Sequence, residues 1–163
     1  MSTEHDYFGL IGDYWSERKE FADQDVEVVL DADADTVSTD ALDIAADMVG
    51  NLEALDADMR EVFLSQLATA TSPTARYLDH VLGGADAEIT EIAEDAIGRD
   101  SGDRQVDAIR SLRLVRVDFR PDADADGDAF AEFEYGLAPE DLEARLVVTI
   151  DVQADVVDTR FDE

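Results

Sequence analysis

The chain has 163 residues, 45% hydrophobic and 33% charged, with no cysteine, and its 42 acidic against 12 basic residues give a formal net charge of -30. That much apolar material excludes a wholly disordered chain, and the missing cysteines exclude disulfides, thiolate catalysis and cysteine-ligated zinc. The charge argues against nucleic acid and anionic membranes as partners, since both are bound by neutralising phosphates with Lys and Arg.

Lys19 is the only lysine, the other basic residues being Arg, and Asp outnumbers Glu. Such a surface suits a chain kept soluble by self-repulsion in a salty cytoplasm that screens it, or it reflects a GC-rich coding bias. A sharper reading is imitation of nucleic acid or docking on a basic partner; acids spread along the whole chain favour the first two. Residues 1–20 hold no basic start followed by an apolar stretch, and no run approaches the roughly 18 apolar residues of a membrane span, so the expected location is cytoplasmic.

In chain order, Trp15, Glu17, Lys19 and Phe21 share one face of a strand, Val26, Val28 and Leu30 share one face of the next, and Ala22 to Asp25 supply turn residues. The pattern predicts a hairpin. From Ser38 the period changes: Leu42, Ala45, Val49 and Leu52 recur at three and four, with Ser38 or Thr39 as cap and Asp40 and Asp43 near the positive helix end. A second helix is predicted from about Asp56, with Met59, Phe63 and Leu67 inward. In a third, Ser72 caps, Pro73 takes the first helical position, Tyr77, Leu78, Val81 and Leu82 form the buried stripe, and Gly83-Gly84 stops it. A fourth carries Ile89, Ile92 and Ala96 up to Gly98, and a short fifth begins at Ser101 with Val106 and Ile109 inward.

After Leu112 the period returns to two. Val115, Val117 and Phe119 are expected inward, and Arg116, Asp118 and Arg120 outward. Ala131, Phe133 and Tyr135 alternate with Glu132 and Glu134; Leu146, Val148 and Ile150 make a third strand, and Val157, Thr159 and Phe161 a fourth. Arg116 and Arg120 should then pair with Glu132 and Glu134 across a hairpin. The competing reading is an anion-binding arginine patch.

Few residues carry legible chemistry. Asp122, Asp124 and Asp126 followed by Gly127, with Asp128 beyond, match the first half of an EF-hand calcium loop. Counting Asp122 as the first position, the twelfth, where a bidentate glutamate must close the site, is Phe133. The flanks also read as strands, so a solvated turn is expected. His5 lies in a polar N-terminal segment, and His80 sits beside Asp79 next to the apolar stripe of the third helix. Ser38, Ser72 and Ser101 read as caps before nucleophiles. Carboxylate pairs are too abundant to mark a site.

Glu4 to Gly9, Tyr14-Trp15 opening the first strand, a helical middle and Leu146 to Asp151 near the end resemble small bacterial proteins catalogued only as a domain of unknown function, family number two thousand and four of that catalogue. The resemblance covers most of the chain in layout. It implies an α+β domain with strands at both ends and no known activity, so it assigns no catalytic residue.

The expectation is a single α+β domain over residues 1–163. In it the N-terminal hairpin and a C-terminal four-strand meander form an antiparallel sheet, with four to five central helices on one face. No catalytic set, cofactor or metal site is assigned. The function expected is that of a non-enzymatic cytoplasmic module that binds an unknown protein. The alternative is a hydrolase or metal-assisted enzyme using His5 with nearby carboxylates. A pocket gathering His5 and carboxylates would favour the enzyme, and a flat apolar patch would favour binding.

Overall fold

Hydrophobic spacing of two at the ends of the chain and of 3.6 in its middle produces strands, then helices, then strands. The computed structural model describes residues 3–5, 9–11, 15–21, 24–31, 39–84, 86–98, 103–120 and 130–162. Its elements are β1 (Thr3–His5), β2 (Gly9–Ile11), β3 (Trp15–Phe21), β4 (Gln24–Leu30), α1 (Thr39–Gly50), α2 (Leu52–Gln66), α3 (Pro73–Gly83), α4 (Ala87–Ala96), α5 (Arg104–Ser111), β5 (Arg113–Phe119), β6 (Ala131–Gly136), β7 (Arg145–Ile150) and β8 (Val156–Asp162). The fold is α+β. Among the described residues no helix is long and apolar enough to cross a membrane.

Strands β3 to β8 form one six-stranded sheet in sequence order, and β1 pairs β2 in a separate small sheet. The expected hairpin is β3 with β4, and the expected meander is β5 to β8. The join between them corrects the antiparallel expectation, because β4 and β5 run parallel, with Val28 opposite Val117 and Leu30 opposite Phe119. All five helices lie between those two strands. A parallel neighbour requires such a crossover, which a tight turn cannot supply.

The helices start where side chains satisfy their free N–H groups. Ser72 Oγ accepts from the Ala75 N–H at 3.1 Å, and Pro73 follows it. Asp86 caps α4, and Asp103 caps α5 by accepting from the Gln105 and Val106 N–H groups. The fifth helix therefore starts later than Ser101, which lies outside the described residues, as does Ser38. α2 starts at Leu52, before Asp56, because Leu52 and Leu55 already belong to its buried stripe. In α4 the buried residue is Ala93 and Ala96 is exposed, so that stripe ends a turn earlier than its spacing suggested.

One strand residue is also reassigned. The β5–β6 register slips between Leu114 and Arg116, so Leu114 takes the inward place expected of Val115, which is only partly buried. A β-bulge of this kind adds one residue and re-aims those before it.

Val26, Val28, Leu30, Val117, Phe119, Phe133, Tyr135, Leu146, Val148 and Ile150 form one core cluster with Leu42, Ala45, Met59, Phe63, Tyr77, Leu78, Val81 and Ile109. The register places these strand residues on one face, so the helices cover that face of the sheet. Two tyrosines fasten the layers. The Tyr135 hydroxyl donates to Asp56 Oδ1 at 2.8 Å, and the Tyr77 hydroxyl accepts from the Leu137 N–H at 2.8 Å.

Candidate functional site

The face of the sheet turned away from the helices carries six of the chain's eleven arginines, counting Arg120 just past β5. Reading across the six strands, one row runs Arg18, Glu27, Arg116, Glu134, Val147, Arg160. The next runs Ser16, Val29, Asp118, Glu132, Thr149, Asp158. The alternation of each strand puts residues two apart on the same face, and the register brings those of six strands side by side.

Opposite charges meet along and between these rows. Arg120 reaches Asp118 at 3.1 Å and Glu132 at 3.6 Å, and Arg160 reaches Glu132 at 3.3 Å and Asp162 at 3.1 Å. Arg116 approaches Asp118 at 3.8 Å, and Arg18 pairs Asp25 at 3.0 Å. The two acids at the centre are the more enclosed: the Asp118 and Glu132 side chains are 14% and 17% exposed, against 38–43% for Arg116, Arg120 and Arg160. Asp118 Oδ1 is buried without a hydrogen-bond partner among the described residues, while its other carboxylate oxygen accepts from Arg120. Beneath the charges Val29 and Val147 are fully buried.

Arg120 therefore pairs with Glu132 as the sequence suggested. Arg116 stands opposite Glu134 in the register, yet its guanidinium lies nearer Asp118 on its own strand. The crowding of arginines in residues 104–120 is visible in the sequence. That Arg18 and Arg160 join the same face is not, because it depends on strand order.

Strand positions on this face hold Arg18, Arg113, Arg116, Arg145 and Arg160 together with Glu20, Asp25, Glu27, Asp118, Glu132, Glu134, Asp158 and Asp162. At its strand positions the face thus gathers five of the 12 basic residues but only eight of the 42 acidic ones, and Arg120 follows just past β5. It is close to charge balance in a chain that is otherwise strongly anionic. A groove of about 230 Å³ opens at its end between Arg18, Asp25, Arg113 and Glu140.

The other candidates lie elsewhere. His5 stands in β1 opposite Gly9. His80 packs on Phe161 with ring centroids 5.4 Å apart, and it lines a groove of about 270 Å³ with Ile89, Asp141 and Glu143. A further groove of about 450 Å³ runs between α2, α3 and α5, lined by Leu67, Arg76, Leu78, Asp79 and Arg104. Arg104 is engaged there by Glu94 and by the Leu82 carbonyl. Asp122, Asp124, Asp126 and Asp128 lie outside the described residues. Among the described residues no three His, Asp or Glu side chains are grouped to hold a metal ion.

Two phenols have shifted titrations. Burial pushes Tyr135 well above the usual tyrosine range, and the neighbouring Asp56 carboxylate raises it further. Burial likewise raises Tyr77, with the Leu137 N–H and Arg145 acting in the opposite direction. Both belong to the helix–sheet contact. Compared with protein-family models, with curated proteins and with solved structures, the chain finds no match in any of the three.

Proposed function

We propose that the protein is a cytoplasmic, non-enzymatic binding module that docks a protein partner on the open face of its six-stranded sheet. The observation that carries this reading is the charge distribution: five of the 12 basic residues and eight of the 42 acidic ones stand at strand positions of that face. Docking removes water from charged groups, and an uncompensated carboxylate is costly to desolvate. On the helical side the exposed acids Asp43, Asp47, Glu53, Asp58 and Glu61 follow one another along α1 and α2. On the sheet face Arg18, Arg116, Arg120 and Arg160 already neutralise neighbouring acids, so a partner can cover them with less loss. The alternating row of Arg18, Glu27, Arg116, Glu134 and Arg160 suits a partner surface carrying both signs.

The test is site-specific photo-crosslinking in extracts of the source cells, with the crosslinker at Ser16 on the sheet face and at Asp47 on α1. The expected result is one protein captured from Ser16, not from Asp47, and lost when Arg116→Glu and Arg160→Glu are combined. Capture at Asp47 alone, or capture at Ser16 that survives the double reversal, overturns the proposal.

A further inference from the structure

Among the described residues, strand β8 is an outer strand of the six-stranded sheet and pairs only with β7. An open edge presents a row of backbone donors and acceptors, a template for another strand. In β8, Asp158 stands opposite Thr149 and Arg160 opposite Val147, on the open face. Thr159 stands opposite Val148 and Phe161 opposite Leu146, on the helical face.

Reversing this strand about Thr159 makes it complementary to itself. Asp158 of one copy falls opposite Arg160 of the other, and Arg160 opposite Asp158, giving two symmetric ion pairs on one face. The two Thr159 side chains meet on the axis. The β7–β8 register slips between Asp158 and Val156, so Val157 is the extra residue of a β-bulge beside Asp158, and across the axis it falls near Phe161. Val157, 46% exposed, is the exposed large hydrophobic among the described residues, and Phe161 is partly buried beside Tyr77 and His80. Opposite charges and paired threonines are cross-strand combinations that stabilise antiparallel neighbours.

The other edge, β3, lacks this match at its centre. Reversal about Arg18 sets two arginines face to face, and Glu17, Arg18, Lys19 and Glu20 run consecutively along it. Consecutive charges of this kind blunt an edge against pairing.

We infer that β8 is a self-pairing edge, through which two copies of this chain join antiparallel about a two-fold axis at Thr159 to make one continuous sheet. An isologous contact of this kind closes on itself and buries both edges at once. It makes the sheet face of each copy continuous with the other across the axis. Each copy has a formal charge of -30, so long-range repulsion opposes association until salt screens it. The dimer is therefore salt-dependent.

Sedimentation equilibrium tests the inference in about 0.5 M salt, between the screening lengths of about 8 Å at 0.15 M and about 3 Å at 1 M. Wild type is expected to dimerise there and to dissociate at low salt. Asp158→Arg alone and Arg160→Asp alone each set like charges across the axis and should weaken association at least tenfold. Their equimolar mixture restores both ion pairs and should dimerise again. Val157→Glu, which leaves the bonds of Arg160 to Glu132 and Asp162 untouched, should also weaken association at least tenfold. Circular dichroism checks that each variant folds; should Arg160→Asp not fold, Asp158→Arg and Val157→Glu decide. A wild type monomeric at every salt concentration overturns the inference. So does a dimer indifferent to Asp158→Arg and Val157→Glu, or a folded mixture that stays monomeric.

Discussion

The Tyr135 hydroxyl and the Asp56 carboxylate, 2.8 Å apart, tie strand β6 to helix α2 in the buried interior. Arg60, one turn on from Asp56, donates Nε to the same carboxylate at 3.2 Å and Nη1 to the Ile109 carbonyl at 3.0 Å. Its guanidinium also lies 5.5 Å from the centre of the Tyr135 ring. One carboxylate thus fastens α2, α5 and the sheet. Tyr135→Phe leaves Asp56 its arginine and should cost about 1–2 kcal/mol. Asp56→Ala strips both donors of their acceptor and should cost about 3–5 kcal/mol. Urea unfolding of both variants at one fixed salt concentration gives the comparison. Equal losses would place the anchor in the phenol rather than in the carboxylate.

The same contact sets an alkaline limit. Tyr135 and Tyr77 both titrate higher in the folded chain than in the unfolded one. Below about pH 10, the unfolded value, each holds its proton in both states and its contribution to stability is fully present. As pH rises beyond that the unfolded phenols ionise first, and stability is lost through the folded values. Melting temperature should therefore fall above about pH 10, and fall less steeply in Tyr135→Phe. Identical slopes in wild type and variant would sink this account.

Ser72 does two jobs at the start of α3. Its Oγ accepts from the Ala75 N–H and donates to the Gln66 carbonyl at 2.8 Å, joining α3 to the end of α2. Ser72→Ala should cost about 1–2 kcal/mol, more than Asp86→Ala at the exposed start of α4, because the lost partners are partly buried. Chemical denaturation of the two variants reads the ordering, and a smaller loss at Ser72 would contradict it.

Salt should stabilise the folded chain. Its formal charge is -30, and the acids along α1 and α2 are exposed. Melting temperature is expected to rise as sodium chloride shortens the screening length from about 30 Å to about 3 Å. A flat or falling curve would show that the acids are already well compensated.

Arg116→Ala should cost less than about 1 kcal/mol, because its 3.8 Å approach to Asp118 is partly exposed to water. The measurement is a denaturant midpoint at low and high salt. A loss above 2 kcal/mol, on the order of a buried pair, would mean that Arg116 compensates the enclosed Asp118 more fully than its distance implies.

By itself the sequence determined the kind and order of the main elements. Spacing of two marks Val26, Val28 and Leu30 or Ala131, Phe133 and Tyr135 as strand faces, and Ser72, Pro73 and Gly83-Gly84 mark the ends of α3. These signals are local: a residue and its near neighbours settle the period, the cap and the stop. Tertiary structure alone decided three things. It set β5 parallel to β4, where adjacency depends on the path of five intervening helices. It turned Val115 into a bulge, because the partner strand and not the period fixes register. And it distinguished Asp56 from the other acids, since only folding brings it Tyr135 from 79 residues away. In a chain with 42 acids the side chain alone carries no mark of burial. The charge-balanced sheet face has the same origin, because Arg18, Arg116 and Arg160 share a row only after six strands have taken their order.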